Sequence, residues 1–111
     1  MSPALRVAVK LISGNAHPAL AEDLARELKV PLALAEIAAF ADGETRVHLT
    51  PDVQGAAVFI VQPTCPPVNE HLMVLALLAD AARAAGATRV AALVPYFGYA
   101  RQEQRSRPGV I

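Results

Sequence analysis

Two periodicities run along the chain in turn. Arg6 to Ile12 is apolar and β-branched and predicts a first strand, broken at Ser13-Gly14-Asn15. From Pro18 to Leu28 the apolar residues Leu20, Leu24, Ala25 and Leu28 recur at the spacing of one helix face, and Glu22, Asp23, Arg26 and Glu27 take the other. Pro18 suits a first helical turn, where its missing N–H costs nothing, and Val30-Pro31 ends the helix. Leu32 to Ile37 predicts a second strand. Phe40 to Glu44 predicts a turn, with Asp42-Gly43 a two-residue hairpin signal, and Thr45 to Leu49 alternates as a half-exposed strand. Ala56 to Val61 is apolar throughout, as in a strand covered on both faces. Gln62 to Asn69 carries three prolines and predicts a loop. Asn69 is the expected N-cap of a helix with Glu70 in its first turn, running to about Ala85 with Gly86 as its stop. Arg89 to Pro95 predicts another buried-type strand, followed by a loop from Tyr96 to Arg107 beyond its carboxyl end. Strands alternating with helices imply an α/β fold with a largely parallel sheet flanked by helices.

Composition narrows the function classes. The chain has 111 residues, 54% hydrophobic and 18% charged, which fits one ordered domain and excludes intrinsic disorder. Ten basic residues balance ten acidic ones, so nothing in the charge supports binding to nucleic acid or to a membrane surface. The most apolar stretch, Leu72 to Ala85, is interrupted by Asp80 and Arg83 and falls short of the roughly 20 residues that a bilayer span requires. The amino-terminal residues have no signal-like apolar run. Cys65 is the single cysteine, so no internal disulfide forms, and a reducing, cytoplasmic setting is expected. With so much apolar surface, part of it is expected to meet another subunit.

Two segments carry candidate chemistry. The expected loop after the last strand holds Arg101, Arg105 and Arg107 within seven positions, offset only by Glu103. Ligands of open α/β sheets collect at the carboxyl ends of strands, and guanidinium forks suit phosphate oxygens. Tyr96, Phe97 and Tyr99 offer flat faces, and Gln102 could read the polar edge of a ring. The segment reads equally as an anion- or nucleotide-binding loop or as a solvated basic tail. The turn Phe40-Ala41-Asp42-Gly43-Glu44 places an aromatic beside two carboxylates, able to hold a purine and accept hydrogen bonds from its amino group or from ribose hydroxyls. Taken alone it is an ordinary hairpin turn with solvated acids. Gly14-Asn15 lacks the spacing of a phosphate loop. His17, His48 and His71 lack metal-ligand pairing and suit surface or capping roles, and Cys65 has no base near it in sequence.

The segments together resemble one family. Lys10–Ala16 (KLISGNA), Phe40–Glu44 (FADGE), Phe59–Cys65 (FIVQPTC), Asn69–Met73 (NEHLM) and Val94–Gln102 (VPYFGYARQ) occur in the order found in the N-terminal domain of ribose-phosphate pyrophosphokinase. The resemblance covers nearly the whole chain. It implies a phosphoribosyltransferase-like fold and an enzyme that transfers the diphosphoryl group of ATP to C1 of ribose 5-phosphate with Mg2+, releasing AMP in nucleotide biosynthesis. It implies assembly into dimers and hexamers. Phe40, Asp42, Gly43 and Glu44 would then contact ATP across a subunit boundary from Arg101 and Gln102, and Arg105 and Arg107 would lie in a phosphate or allosteric region. The family's magnesium-holding histidine, its flexible loop with catalytic Lys and Arg, and its ribose-phosphate loop lie beyond Ile111. Residues 1–111 are therefore expected to form an ATP-binding and assembly domain without the C-terminal domain. No catalytic or metal-ligating residue is expected within them, and the chain alone should be inactive. Gln104 stands where a basic residue is common, and Val74 where a glutamate is common.

Two rival expectations remain. A non-catalytic relative could assemble with an active synthetase, although such a module has no need of Asp42, Glu44, Arg101 and Gln102. A nucleotide-binding domain outside the family would account for the fold but not for the order of the motifs.

Overall fold

The computed structural model describes residues 8–50 and 52–98. The elements are β1 (Val9–Ser13), α1 (Pro18–Leu28), β2 (Leu32–Leu34), β3 (Glu36–Ala39), β4 (Thr45–His48), β5 (Ala57–Val61), α2 (Val68–Ala84) and β6 (Arg89–Leu93). Four strands form a parallel sheet in the order β2-β1-β5-β6, and β3 and β4 form a separate antiparallel hairpin. The strand order runs outward in both directions from the β1–β5 pair. The carboxyl ends of these two strands therefore flank the point where the winding reverses, the usual place for a ligand crevice in this kind of sheet.

Alternation along the strands divides the core. Ile12, Val58 and Ile60 face α2, which lays the stripe Val74, Leu78 and Ala82 against them. These helix positions are four apart and so share one face. Leu11 and Val61 point the other way, toward Ala21 and Ala25 of α1. The hairpin packs on the α2 side, adding Ile37, Val47 and Leu49 to that larger cluster. Its burial thus depends on α2, which matters below because the candidate turn is the hairpin's tip.

Both helices have defined ends. At α1, the Leu20 N–H donates to Nδ1 of His17 at 3.1 Å, so His17 takes the capping role its position suggested. Lys29 closes that helix in the left-handed region at φ 54°. α2 ends at Ala84, with Ala85 as its C-cap and Gly86 at φ 96°, close to the expected stop.

Several local expectations change. The predicted strand Leu32–Ile37 is two strands, β2 paired with β1 and β3 paired with β4, separated at Ala35. Ala33, Ala35 and Ile37 all pack against the same cluster, so the two-residue alternation runs unbroken through the change of partner and hides it. Asn69 is not the N-cap of α2: the helix begins at Val68 behind Pro67, with no side-chain cap, and Asn69 lies inside the first turn. β6 is shorter than expected and only partly buried, because it is the edge of the sheet among the described residues.

Candidate functional site

The hairpin tip is built by local backbone geometry. The ladder ends at the Ala39–Thr45 pair. Beyond it the Phe40 N–H donates to the Glu44 carbonyl at 2.6 Å, and the Gly43 N–H donates to the Phe40 carbonyl at 2.9 Å. The connection is therefore a three-residue loop, Ala41 to Gly43, rather than the expected two-residue turn. Gly43 takes the positive φ of 94° that such loops require at their last position. Oδ1 of Asp42 accepts from the Glu44 N–H at 3.0 Å, so one carboxylate oxygen is used to hold the loop. The Glu44 carboxylate makes no hydrogen bond among the described residues. Residues 40–44 are all exposed, and Phe40 leaves 51% of its surface open despite its size.

The tip adjoins α2 across a cleft. Gly43, Glu44 and Thr45 form one wall, and Asn69, Glu70, Met73 and Leu77 form the other, around a volume of about 440 Å³. A second hollow of about 310 Å³ shares Gly43, Thr45 and Glu70 and reaches Asn15 at the carboxyl end of β1. Of the turn residues expected to bind nucleotide, Gly43 and Glu44 border this space, while Phe40 and Asp42 line neither hollow.

At the carboxyl edge of the sheet, two side chains of the segment leaving β5 fasten the loops on either side. Gln62 is fully buried. Its Oε1 accepts from the Ala16 N–H at 3.0 Å, and its Nε2 donates to Oδ1 of Asn15 at 2.9 Å and to the His71 carbonyl at 3.3 Å. It thereby ties the β1–α1 loop to the start of α2. A Cβ at Gly14 would lie 2.5 Å from Cδ of Gln62, so any side chain there would push the Gln62 carboxamide out of its place. Thr64, two residues on, holds the loop after β6: its N–H donates to the Tyr96 carbonyl at 2.8 Å, and its Oγ1 accepts from the Gly98 N–H at 2.8 Å. Neither residue was singled out from the sequence. The available signal was the abrupt change from the apolar strand to a polar residue followed by proline.

The structure also corrects the isolation of Cys65. Its Sγ lies 3.8 Å from Nδ1 of His71. That nitrogen is 2.7 Å from the Cys65 carbonyl, which can only accept, so Nδ1 carries the proton and cannot serve as a base toward the thiol. The pair closes the loop before α2 and is not an activated nucleophile. Arg101, Gln102, Arg105 and Arg107 lie outside the described residues. Among the described residues no group of three His, Cys, Asp or Glu side chains could hold a metal ion, and no helix is long and apolar enough to cross a membrane.

The parallel sheet, wound outward from β1 and β5 with α1 and α2 on opposite faces, has a phosphoribosyltransferase-like fold. Comparison of folds agrees: purine phosphoribosyltransferase from Pyrococcus horikoshii superposes with a TM-score of 0.61 at 14% identity, over 83% of this chain and 64% of that one. Phosphoribosylpyrophosphate synthetase from Mycobacterium smegmatis superposes with a TM-score of 0.82 at 35% identity, over 87% of this chain and 33% of that one.

Sequence comparison is more specific. The profile of the N-terminal domain of ribose phosphate pyrophosphokinase matches residues 9–111. Ribose-phosphate pyrophosphokinase of Clostridium perfringens is 46% identical over 89% of this chain and 31% of its own length. The Haemophilus influenzae enzyme of the same name is 48% identical over 89% and 31%. The chain belongs to the ribose-phosphate pyrophosphokinase family, and it spans about a third of the length of the curated relatives it matches.

Proposed function

We propose that this chain supplies part of the ATP site and the subunit contacts of an enzyme that moves diphosphate from ATP to C1 of ribose 5-phosphate, and that it does not turn over alone. The observation that carries the reading is the exposed Phe40 beside Asp42 and Glu44 on a glycine-closed turn, in a chain of this family. In this reading Phe40 stacks on the purine, and Glu44 and the remaining Asp42 oxygen accept hydrogen bonds from its amino group or from ribose hydroxyls. Arg101 neutralises phosphate charge and Gln102 contacts the nucleotide from the neighbouring subunit, while Arg105 and Arg107 bind phosphate or an effector. The transfer is promoted by positioning and charge neutralisation, and magnesium entering with ATP supplies further neutralisation. In this reading the protein ligands of that ion come from outside this chain. Self-association would join the two halves of the site and cover apolar surface.

The test is calorimetric titration of ATP into the chain, with Arg101→Ala and Phe40→Ala beside it, together with an assay of AMP release from ATP plus ribose 5-phosphate. Binding that each substitution weakens at least tenfold, without turnover, is the expected result. Binding indifferent to both substitutions, or no binding, would favour the non-catalytic assembly role. Sustained AMP release would overturn the claim that the chain is inactive alone.

A further inference from the structure

The hollow of about 310 Å³ beside the hairpin reaches the carboxyl end of β1, where the winding of the sheet reverses. Its volume is at the small end of the range of about 300–1,000 Å³ for small-molecule sites. Ile37 and Val74 give it apolar walls, and its polar side chains are Asn15, Thr45 and Glu70. Phe40, Asp42 and Glu44, proposed above to hold ATP, do not line it.

One of these polar side chains is held in a defined orientation. The Ala16 N–H can only donate, so the Gln62 atom 3.0 Å from it is Oε1. Nε2 then faces the His71 carbonyl at 3.3 Å, which can only accept, and the two contacts agree. The Asn15 atom 2.9 Å from Nε2 is therefore its oxygen. The Asn15 nitrogen occupies the other branch of the carboxamide, and no acceptor among the described residues holds its two N–H groups. Gln62 is fully buried whereas Asn15 is exposed, so a buried amide uses one of its donors to fix a surface side chain at the rim of the hollow.

We propose that this hollow is a second binding site, for an uncharged nucleobase whose edge carries an acceptor beside a donor. Asn15 donates to the ring nitrogen or carbonyl, Glu70 accepts from the neighbouring amino or imino group, and Ile37 and Val74 cover the ring. The lining selects against phosphate: no Lys, Arg or His among the described residues borders the hollow, and Glu70 repels an anion. It selects against a simple cation too, because a single exposed carboxylate is screened by water. A flat heterocycle with both functions satisfies the donor pair, the acceptor and the apolar walls together. The site goes beyond the ATP reading and does not rest on it.

Titration of adenosine into the whole chain, followed by calorimetry and by the NMR signals of the Asn15 side-chain amide, tests the proposal. Adenosine should shift those two N–H signals. Asn15→Asp keeps an oxygen for Gln62 and the same shape but replaces the N–H groups by an acceptor. It should bind adenosine about tenfold more weakly, the scale of one lost hydrogen bond with an unpaired partner. Adenosine dimethylated on its amino group should bind the wild type with a similar loss. Free adenine identifies the source of the base: affinity equal to that of adenosine assigns the hollow to the base alone, and weaker binding assigns it to the nucleoside. Adenosine that leaves the Asn15 signals in place, or that binds Asn15→Asp as tightly as the wild type, would overturn the site. Loss of the Asn15 shift in Phe40→Ala would overturn it as well, since the hollow would then belong to the ATP site. A chain that shows the Asn15 shift with adenosine yet binds no ATP would overturn the proposed function and leave the second site standing.

Discussion

The turn at 40–44 and the loops at the carboxyl edge of the parallel sheet both present candidate ligand-binding residues, but they are held in different ways. The turn is closed by its own backbone, by the left-handed Gly43 and by one oxygen of Asp42, and all five of its residues are exposed. The carboxyl-edge loops are held by two buried polar side chains, Gln62 and Thr64, that reach across neighbouring strands. The turn is an outlying arm whose shape is local and whose faces are free for a partner. The edge is a rigid platform whose shape depends on the whole sheet. A site shared between subunits would combine an arm from one copy with a platform from the other.

Substitutions should separate the two regions, and the largest effect belongs to the platform. Gln62→Leu leaves the part-buried Ala16 N–H without its partner, removes one contact of the His71 carbonyl and replaces a fully buried amide, and should cost about 3 kcal/mol in urea unfolding. A loss under about 1 kcal/mol would mean that solvent reaches these groups and that the edge is less rigid than its burial implies. Gly14→Ala forces a methyl against the Gln62 carboxamide and should cost about 2 kcal/mol by the same measurement. In the arm, Gly43→Ala meets no atom within 4 Å, so only the backbone cost at φ 94° remains, about 1 kcal/mol. A much larger loss would show that the arm is packed against something other than itself. Phe40→Ala should shift the unfolding midpoint least, within about 0.5 kcal/mol, because its ring is already half exposed. That small effect on stability, set against a large effect on ATP affinity, is the sharpest contrast between a binding arm and a structural one.

Much of the fold was legible along the chain, for specific reasons. α1 spans Pro18–Leu28 as its 3.6-residue pattern and flanking prolines implied. β5 was recognisable from its continuous apolar run, because both faces of that strand are covered. The division of Leu32–Ile37 into β2 and β3 was not legible, since alternation reports which side is buried and not which strand supplies the hydrogen bonds. The start of α2 was placed late because Asn69 is a good cap by residue type, whereas Pro67 already stands at the boundary. In the candidate site, the turn was legible because Asp-Gly chemistry acts over neighbouring residues. Gln62 and Thr64 were not, because their partners are 46 and 34 positions away.

Sequence by itself determined the class of fold, the family and the chemical character of the turn, since each rests on residue order, periodicity or contacts within a few positions. Tertiary structure decided what the polar residues at the strand ends do. Hydrogen-bond partners of Gln62 and Thr64 come from loops that only the parallel pairing of β5 with β1 and β6 brings alongside. A buried amide or hydroxyl must find its partner in three dimensions, and nothing in its neighbours along the chain names that partner.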